Sequence, residues 1–244
     1  MGEILSVISG KGGTGKTSVC AGVASCLAAE GKRVLCIDAD IGLRNLDIAL
    51  GMSEQSAITF TDVMSGLYEL ADATPHPRLE NLFLLTAPFR EEPQPDLAAF
   101  RGLLEAARER FDFCLIDAPA GVGAGFRLAT AFADRCLVVS TPDPASMRDA
   151  ACAADRLALA GKENLSLIVN RVTPRLFRKM ELTVDDMMDS VGLPLLGLVP
   201  EDPMVMLAAA RGCPLVLAAT EGAAEACLRI SRRLRGVSVP LMKF

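Results

Sequence analysis

A glycine-rich segment near the amino terminus carries the residues best suited to bind phosphate. Gly10 and the run Gly15-Lys16-Thr17 satisfy the phosphate-loop pattern G-x-x-x-x-G-K-[ST]. Glycines let backbone N–H groups approach phosphate oxygens closely, the lysine reaches the β- and γ-phosphates, and the threonine hydroxyl suits Mg²⁺. The predicted nucleotide-binding residues of this segment are Gly10, Lys11, Gly12, Gly13, Thr14, Gly15, Lys16, Thr17 and Ser18.

Two further segments supply carboxylates for the same chemistry. Asp38-Ala39-Asp40 follows an apolar run, and residues i and i+2 of a strand point the same way. Both carboxylates could therefore face the phosphates if the strand geometry persists to Asp40. One can hold the hydration shell of Mg²⁺ while the other orients the attacking water. Phe113-Cys114-Leu115-Ile116-Asp117 has the Walker B form, an apolar strand that ends in aspartate. We therefore predict Thr17, Asp38 and Asp117 at the metal and Asp40 at the water.

Candidates for the base of the nucleotide lie late in the chain. Asn170 and Arg171 follow an apolar run, and an asparagine amide carries both a donor and an acceptor that can read the adenine edge. Pro200-Glu201-Asp202 ends the next apolar run and can form the other wall through its backbone. We therefore predict that the base site contains Asn170, Arg171, Pro200, Glu201 and Asp202.

These segments belong to an alternating series of strands and helices. The predicted strands lie at 3–9, 33–38, 81–86, 113–117, 136–140, 165–170 and 195–199. The predicted helices lie at 16–30, 96–110, 122–133, 144–160, 183–191, 203–210 and 221–235. Such repeated βα units favour an α/β fold, a three-layer, doubly wound and mostly parallel sheet with ligands at the carboxyl ends of its strands. Residues 51–80, with a short helical piece at 60–66, and residues 87–95 are interrupted by prolines and look like connections within a domain, not linkers between domains. We therefore predict one domain over 1–244.

Composition argues against several classes of protein. The net charge of −5 gives nucleic-acid binding no global electrostatic help. The chain is 51% hydrophobic, but its longest uncharged stretch, 17–29, is shorter than the roughly 18 apolar residues that span a bilayer. The eight cysteines include no C-x-x-C pair and lie mostly in apolar runs, which indicates small buried residues of a reduced, cytosolic protein.

Two local sequence features do not indicate a functional site. The single histidine, His76, lies between two prolines in a predicted loop, so an imidazole metal site or a Ser/His/Asp triad is not expected. The first six residues match the myristoylation pattern M-G-x-x-x-[ST], but 4–8 are needed as the first core strand. We therefore expect no lipid at Gly2.

Lys11 is the most specific residue of the phosphate loop. The form K-G-G-x-G-K-T resembles the deviant loop of the MinD/ParA family of P-loop ATPases. Residues 38–47, D-A-D-I-G-L-R-N-L-D, are close to the septum-site-determining MinD branch of that family. Asp117-Ala118-Pro119-Ala120-Gly121 and Ser146-Met147-Arg148-Asp149 resemble two more of its motifs. The similarity covers essentially residues 3–240.

The resemblance implies an ATP-dependent homodimer that hydrolyses ATP slowly and acts as a switch in placing the division septum. Lys11 would cross to the phosphates of the other subunit, Lys16 would bind phosphate in its own subunit, and Asp40 would act on the water. Asn45 is a further catalytic candidate in the same motif, suited to the water if Asp40 does not hold it. A division inhibitor or an activator would be the protein partner, and the inner face of the membrane would be bound reversibly.

Two departures from the family alter these expectations. Ala151 stands where the family has a second aspartate on the 144–160 helix, which weakens the inhibitor contact. The family ends in an amphipathic membrane helix, whereas this sequence ends at Phe244. Cys227, Ile230 and Leu234 form a stripe that we expect on the sheet, with the arginines of 221–235 in solvent. We therefore expect weak membrane binding or none.

Other functions remain open at this point. A relative that positions flagella, chromosomes or another cargo would share the mechanism, although Arg44 favours the septum branch. Chromosome partitioning needs a basic DNA-binding face, for which the chain offers only an arginine cluster at 229–235. A metallocluster reductase would need paired interface cysteines, and neither Cys114 nor Cys136 is placed for that role. A small-molecule phosphotransferase would have no use for Lys11 in trans.

Overall fold

The strands of this protein form a single sheet that is parallel except at one edge. The computed structural model describes residues 1–55, 57–89, 96–181 and 183–242. Within these residues the strands are β1 (Glu3–Ile8), β2 (Val34–Asp38), β3 (Thr74–Pro75), β4 (Leu82–Leu85), β5 (Phe113–Asp117), β6 (Arg135–Ser140), β7 (Leu165–Val172) and β8 (Leu195–Pro200). Their order in the sheet is β3-β4-β2-β5-β1-β6-β7-β8. The predicted doubly wound fold is confirmed.

Helices cover both faces of this sheet. They are α1 (Lys16–Ala29), α2 (Leu46–Leu50), α3 (Phe60–Met64), α4 (Leu97–Arg110), α5 (Ala124–Ala131), α6 (Pro144–Leu159), α7 (Pro174–Lys179), α8 (Val184–Val191), α9 (Pro203–Ala210), α10 (Leu215–Ala218) and α11 (Ala223–Leu234). Each face has its own apolar core, because successive side chains of a strand point to opposite sides. In β1, Ile4 and Ile8 join the core of α4, α6 and α8, whereas Leu5 and Val7 join that of α1 and α11.

The strand register brings the candidate carboxylates together. Asp38 at the end of β2 is the Cα partner of Asp117 at the end of β5, and Val7 of β1 pairs with Asp117 on its other side. The phosphate-loop segment follows β1 directly. Three segments that are far apart in sequence therefore meet at the carboxyl edge of the sheet, as the parallel topology requires.

The main differences from the predicted elements involve short strands and helices. Strand β3 pairs antiparallel with β4 and was not predicted, because a two-residue edge strand that contains proline gives no apolar run. Helices α2, α7 and α10 were also missed, since four to six residues are too few for a helical period. The predicted helix at 122–133 is shorter, Ala124–Ala131, because Gly123 precedes it as an extended N-cap. Most of the predicted connection at 87–95 lies outside the described residues.

His76 lies in the predicted loop, between β3 and β4, but its ring is buried. It is 4% exposed, and its Nε2 lies 2.9 Å from the carbonyl oxygen of Leu50 at the end of α2. Its Nδ1 accepts the backbone N–H groups of Arg78 and Leu79. Burial lowers the pKa of His76, so the neutral ring joins the β3–β4 connection to α2. The local sequence pointed to a turn, whereas burial of the ring is a tertiary effect.

Other details of the core agree only in part with expectation. Six of the eight cysteines are buried, but Cys152 is exposed on α6 and Cys213 is half-buried. Gly2 is buried, and its N–H donates to the carbonyl of Arg108 at 2.8 Å. A Cβ at Gly2 would lie 2.0 Å from the carbonyl oxygen of Phe111. Packing therefore accounts for this glycine without a lipid.

Helix α11 packs as predicted, but its arginines do not stand free in solvent. Cys227, Ile230 and Leu234 are all buried, which confirms the apolar stripe. The four arginines each have a partner: Arg229 pairs with Glu225, Arg232 and Arg235 pair with Glu30, and Arg233 donates to two carbonyl groups. The expectation of solvated arginines holds only in part: the side chain of Arg232 is 41% exposed, but acidic side chains and carbonyl oxygens of the neighbouring segments reach all four arginines. Within the described residues, no helix has the length and apolar character needed to span a membrane.

Candidate nucleotide site

The phosphate-loop segment adopts the strand–loop–helix arrangement that its motif requires. The loop follows β1, and α1 begins at Lys16 with Gly15 as its N-cap in the left-handed region at φ 80°. A Cβ at Gly10 would lie 2.1 Å from the carbonyl oxygen of Asp149 in α6, and one at Gly15 would lie 2.2 Å from Asn170 Nδ2. Neighbouring segments therefore approach so closely that only glycine fits. The backbone N–H groups at the start of α1 are suited to bind an anion.

Lys16 is buried beside the Walker carboxylate. Its Nζ lies 2.5 Å from Asp117 Oδ1 and 3.5 Å from the hydroxyl of Thr17. The side chains of Lys16 and Asp117 are 7% and 1% exposed. Burial raises the pKa of Asp117, and Lys16 opposes that rise. A buried cation at the end of a glycine-rich loop fits a site for an anionic ligand.

Asp38 organises the segment that carries Asp40. Asp38 is fully buried, its Oδ1 accepts the N–H of Asp40 at 2.9 Å, and its Oδ2 accepts those of Asn45 and Leu46 at 3.1 and 3.0 Å. Burial raises the pKa of Asp38 to about 6, and the nearby Asp117 carboxylate adds to the rise. Asp38 thus holds both ends of the 40–46 loop.

Asp40 reaches the site by a different route from the one expected. Strand β2 ends at Asp38, so the i and i+2 geometry of a strand does not extend to Asp40. The expectation that strand geometry aligns the two carboxylates was wrong for this reason. Asp40 is half-buried at the start of a turn; burial raises its pKa, and Lys16 lowers it. That influence of Lys16 means Asp40 still lies near the phosphate-loop lysine.

The arrangement of possible metal ligands is sparse. Within the part of the chain that the structure describes, no group of three or more His, Cys, Asp or Glu side chains could hold a metal ion. Thr17 and Asp117 lie together at the start of α1, and Asp38 is adjacent through the sheet register. Mg²⁺ usually keeps several waters and binds one or two carboxylates plus substrate phosphates. The residues present fit that mode, in which the nucleotide supplies part of the ligand set.

A bulge between β7 and β8 contains two of the five predicted base-site residues, Asn170 and Arg171. Val169 pairs with Leu198 and Val172 with Pro200, so Asn170 and Arg171 together oppose one residue of β8. Arg171 takes a left-handed backbone at φ 58°. Asn170 is buried, and its Nδ2 donates to the carbonyl of Thr14 at 2.8 Å. Asn170 therefore joins the base site to the phosphate loop, which leaves its Oδ1 for other contacts.

The predicted base-site residues line a cavity of about 420 Å³. Its walls come from the start of α1, the β7–β8 bulge, α9 and α11, and include Gly15, Ser18, Asn170, Arg171, Pro200, Glu201, Asp202, Val205, Met206 and Cys227. Asp202 itself caps two helices, because its Oδ1 accepts the N–H of Met204 and its Oδ2 that of Ala223. A mostly apolar cavity with a few polar groups suits a planar base.

Lys11 lies apart from Lys16 and is ion-paired within its own chain. Its Nζ lies 3.0 Å from Asp143 Oδ1, beside a second cavity of about 360 Å³ that Arg171 and Met180 also line. Asp143 caps α6 through the N–H of Ser146 and accepts the hydroxyl of Thr141. Burial would raise the pKa of Asp143, but these hydrogen bonds and Lys11 outweigh it and lower the pKa to about 2.

Two residues need separate mention. Asn45 is exposed, and its side chain makes no capping hydrogen bond at α2, so the structure does not hold it in the carboxylate cluster. Asp143 was missed as a site residue. Asp143-Pro144 before the predicted helix is a helix-start signal, which could have indicated the cap but not the partner lysine.

Comparisons with known proteins agree with this geometry. The family model of the CobQ/CobB/MinD/ParA nucleotide binding domain matches residues 5–215. The septum site-determining protein MinD of Synechocystis is 36% identical over 248 residues, which cover 100% of this chain and 93% of the relative.

Two solved structures share the whole fold. The MinC:MinD cell division protein complex of Aquifex aeolicus contains a chain with a TM-score of 0.92 and 34% identity, with 99% of each chain covered. The MinD of Pyrococcus horikoshii, solved with Mg-ADP, has a TM-score of 0.82 and 29% identity, with 96% of each chain covered. The family match spans most of the chain and the relatives match it over its full length. The chain therefore belongs to the CobQ/CobB/MinD/ParA nucleotide-binding family, in which it is a MinD-like ATPase of division-site placement.

Proposed function

We propose that this chain is a Mg²⁺-dependent ATPase that forms a homodimer when ATP is bound and returns to monomers after hydrolysis. One observation carries the proposal: the buried Lys16 ammonium lies between Asp117 and Thr17 at the start of α1, and Gly13 of the adjoining loop has open space beside it. The solved relative from Pyrococcus horikoshii holds Mg-ADP, which supports the same ligand class here. The chain would act as one domain over residues 1–244.

Each residue of the site then has a definite task. Lys16 turns from Asp117 to the phosphates of its own subunit, which leaves Asp117 and the Thr17 hydroxyl to hold Mg²⁺ with Asp38 behind them. Mg²⁺, when bound, supplies positive charge that offsets the phosphate oxygens. Asp40 accepts a hydrogen bond from the attacking water and orients it. Asn45 remains a reserve candidate at the end of the same loop.

The base would lie in the cavity between α1, α9 and α11. Asn170 Oδ1 and the backbone of Pro200, Glu201 and Asp202 offer polar contacts, and Val205 and Met206 offer an apolar wall. Arg171 lies where the two cavities adjoin, since it lines both. This arrangement supports adenine as the base.

Lys11 is the residue that ties hydrolysis to dimerisation. Its side chain is 35% exposed beside an open cavity, so it can leave Asp143 and reach the phosphates of a second subunit. The Aquifex aeolicus relative was solved as a complex with MinC, and we propose a division inhibitor of this kind, or an activator, as the protein partner. We also propose that the chain works in the cytoplasm, with at most weak contact at the inner face of the membrane.

A chromosome-bound role is disfavoured by the arginines of α11. A DNA-binding face needs cations that are free to contact phosphates, whereas all four arginines there already have partners. Size-exclusion chromatography with a non-hydrolysed ATP analogue, run beside a phosphate-release assay with and without Mg²⁺, tests the proposal. We expect an ATP-dependent dimer and slow Mg²⁺-dependent turnover, and a permanently monomeric chain would contradict the proposal.

A further inference from the structure

The loop that carries Asp40 is held on its outer side by residues outside every motif described above. The N–H of Gly42 donates to the carbonyl of Pro88 at 3.3 Å. The guanidinium carbon of Arg44 lies 4.4 Å from the ring centroid of Phe89. Asp38 holds the same loop from the inside through Asp40, Asn45 and Leu46. The 40–46 loop is therefore held between an inner carboxylate and an outer aromatic ring.

Arg44 occupies a backbone conformation that needs such support. Its φ is +46°, in the left-handed region that residues with a side chain rarely adopt unless their surroundings require it. Its side chain is only 10% exposed, and its Nε is buried without a hydrogen-bond partner, 3.4 Å from Asp47 Oδ2. The Phe89 ring covers the guanidinium, and a cation over an aromatic face is attractive. Phe89 thus stabilises the strained residue.

The strained residue in turn fixes Asp40. The carbonyl of Asp40 accepts the N–H groups of Leu43 and Arg44 at 3.3 and 3.2 Å, so Arg44 closes the turn that begins at Asp40. If Arg44 relaxed to a negative φ, the chain after it would take another direction, and the N–H groups of Asn45 and Leu46 would leave the Asp38 carboxylate. Asp38 would then hold the loop only through the N–H of Asp40, and the backbone that carries the Asp40 side chain would no longer be fixed from both ends.

We propose that Phe89 is a positioning residue for ATP hydrolysis, which holds Arg44 and through it the Asp40 turn in the geometry that orients the attacking water. The inference rests on the proposed function, because it takes Asp40 as the residue that acts on the water. Phe89 is 74% exposed and contributes little to the core, so its replacement leaves the fold intact. It lines neither of the two cavities described above, so we expect it to affect turnover and not nucleotide binding.

The experiment compares Phe89→Leu, which keeps an apolar side chain but removes the ring, with Phe89→Tyr, which keeps the ring. Phe132→Leu is the control, because it also removes a ring that lies beside an arginine: Arg101 lies 5.8 Å from the centre of the Phe132 ring. Phe132 is far from the Asp40 turn, since the nearby Asp134 accepts the N–H of Ile4 at the opposite end of the sheet. For Phe89→Leu we expect kcat to fall about tenfold, with KM and ADP affinity unchanged. Amide hydrogen exchange at 40–46 should accelerate in the same variant. Phe89→Tyr and Phe132→Leu should match the unmodified chain in all four measurements.

Three outcomes would overturn the inference. They are an unchanged kcat and unchanged exchange in Phe89→Leu, an equal loss in Phe89→Tyr, and a loss confined to KM or ADP affinity. Asp40→Ala, measured beside these variants, separates this failure from failure of the proposed function. If Asp40→Ala turns over normally, the role of Asp40 is wrong and the inference falls with it. If Asp40→Ala is inactive while Phe89→Leu is normal, the inference alone is wrong.

Discussion

The ammonium of Lys11 lies 3.0 Å from the carboxylate of Asp143 in the same chain. The side chains are 35% and 48% exposed, so water screens the pair and its net contribution is small, about 0–1 kcal/mol. A pKa of about 2 keeps Asp143 ionised at any physiological pH. If Lys11 acts on the phosphates of a second subunit, it must first leave Asp143. Asp143 would thus hold Lys11 in the monomer.

Asp143→Asn tests whether this ion pair opposes dimerisation. Asparagine can still cap α6, so the variant removes the charge and keeps the helix start. We expect the ATP concentration at half-dimerisation to fall about two- to fivefold, measured by sedimentation with a non-hydrolysed analogue. A dimer that needs more ATP than the unmodified chain would instead show that Asp143 supports the dimer.

Substitution of the two loop lysines should separate binding from association. Lys16→Ala removes the cation held against the phosphates of its own subunit, so nucleotide affinity should be lost. Lys11→Ala should bind ATP but neither dimerise nor hydrolyse it, because a cation supplied in trans can be worth about 10³–10⁵ in rate. Binding of a fluorescent ATP analogue and size-exclusion chromatography distinguish the two variants. A normal dimer from Lys11→Ala would refute its role in trans.

Asp40→Ala should stop hydrolysis while nucleotide binding persists. Thr17, Asp38 and Asp117 remain to hold Mg²⁺, so ATP should bind and the dimer should accumulate. Single-turnover phosphate release, followed together with dimer lifetime, checks this outcome. Normal turnover would move the water-orienting role to Asn45 or to a backbone group.

Asp38 makes a definite contribution to the dependence of stability on pH. Because its folded pKa is raised to about 6, the protonated form is favoured in the folded chain. The stabilisation that protonated Asp38 gives the folded chain is fully present below the pKa of the unfolded state, near 4, and is lost as pH rises through 6. Between pH 4 and 7 the chain should lose about 2–3 kcal/mol of unfolding free energy relative to Asp38→Asn.

Urea denaturation of both chains over this range measures the difference. The buried His76 titrates in the opposite sense but is common to both chains, so it cancels from the comparison. Parallel pH profiles for the two chains would contradict the raised pKa of Asp38.

The paired arginines of α11 predict weak attraction to anionic membranes. Arg232 and Arg235 both contact Glu30, so neither presents a free charge. We expect little co-sedimentation of the ATP-bound chain with phosphatidylglycerol vesicles. Glu30→Gln, which frees two cations, should increase binding, whereas Glu163→Gln is a control without an arginine partner in the described structure. Strong ATP-dependent binding of the unmodified chain would show that the helix or its flanking residues form the membrane contact.

Strands with continuous apolar runs and long helices with regularly spaced apolar residues could be predicted from the sequence. Features that depend on tertiary contacts could not. Strand β5 was predicted at its observed bounds, because four apolar residues and a final aspartate lie between two segments with helical patterns. The phosphate loop was equally predictable, since its glycines follow a fixed spacing. By contrast, the pairing of Lys11 with Asp143 joins residues 132 positions apart. Likewise, nothing around Phe89 in the sequence indicated that its ring would cover Arg44.

The ion pairs of Glu30 have a mechanical consequence for nucleotide exchange. Glu30 follows the 14 residues of α1, about 21 Å from the phosphate loop, and contacts the last turn of α11. At the other end, Asp202 bonds the first residue of α11 beside the base cavity. Glu30 therefore joins the carboxyl ends of α1 and α11, and Asp202 joins the amino end of α11 to the β8–α9 connection. Because α11 is bonded at both of its ends, we expect its wall of the base cavity to keep its position while the nucleotide enters and leaves.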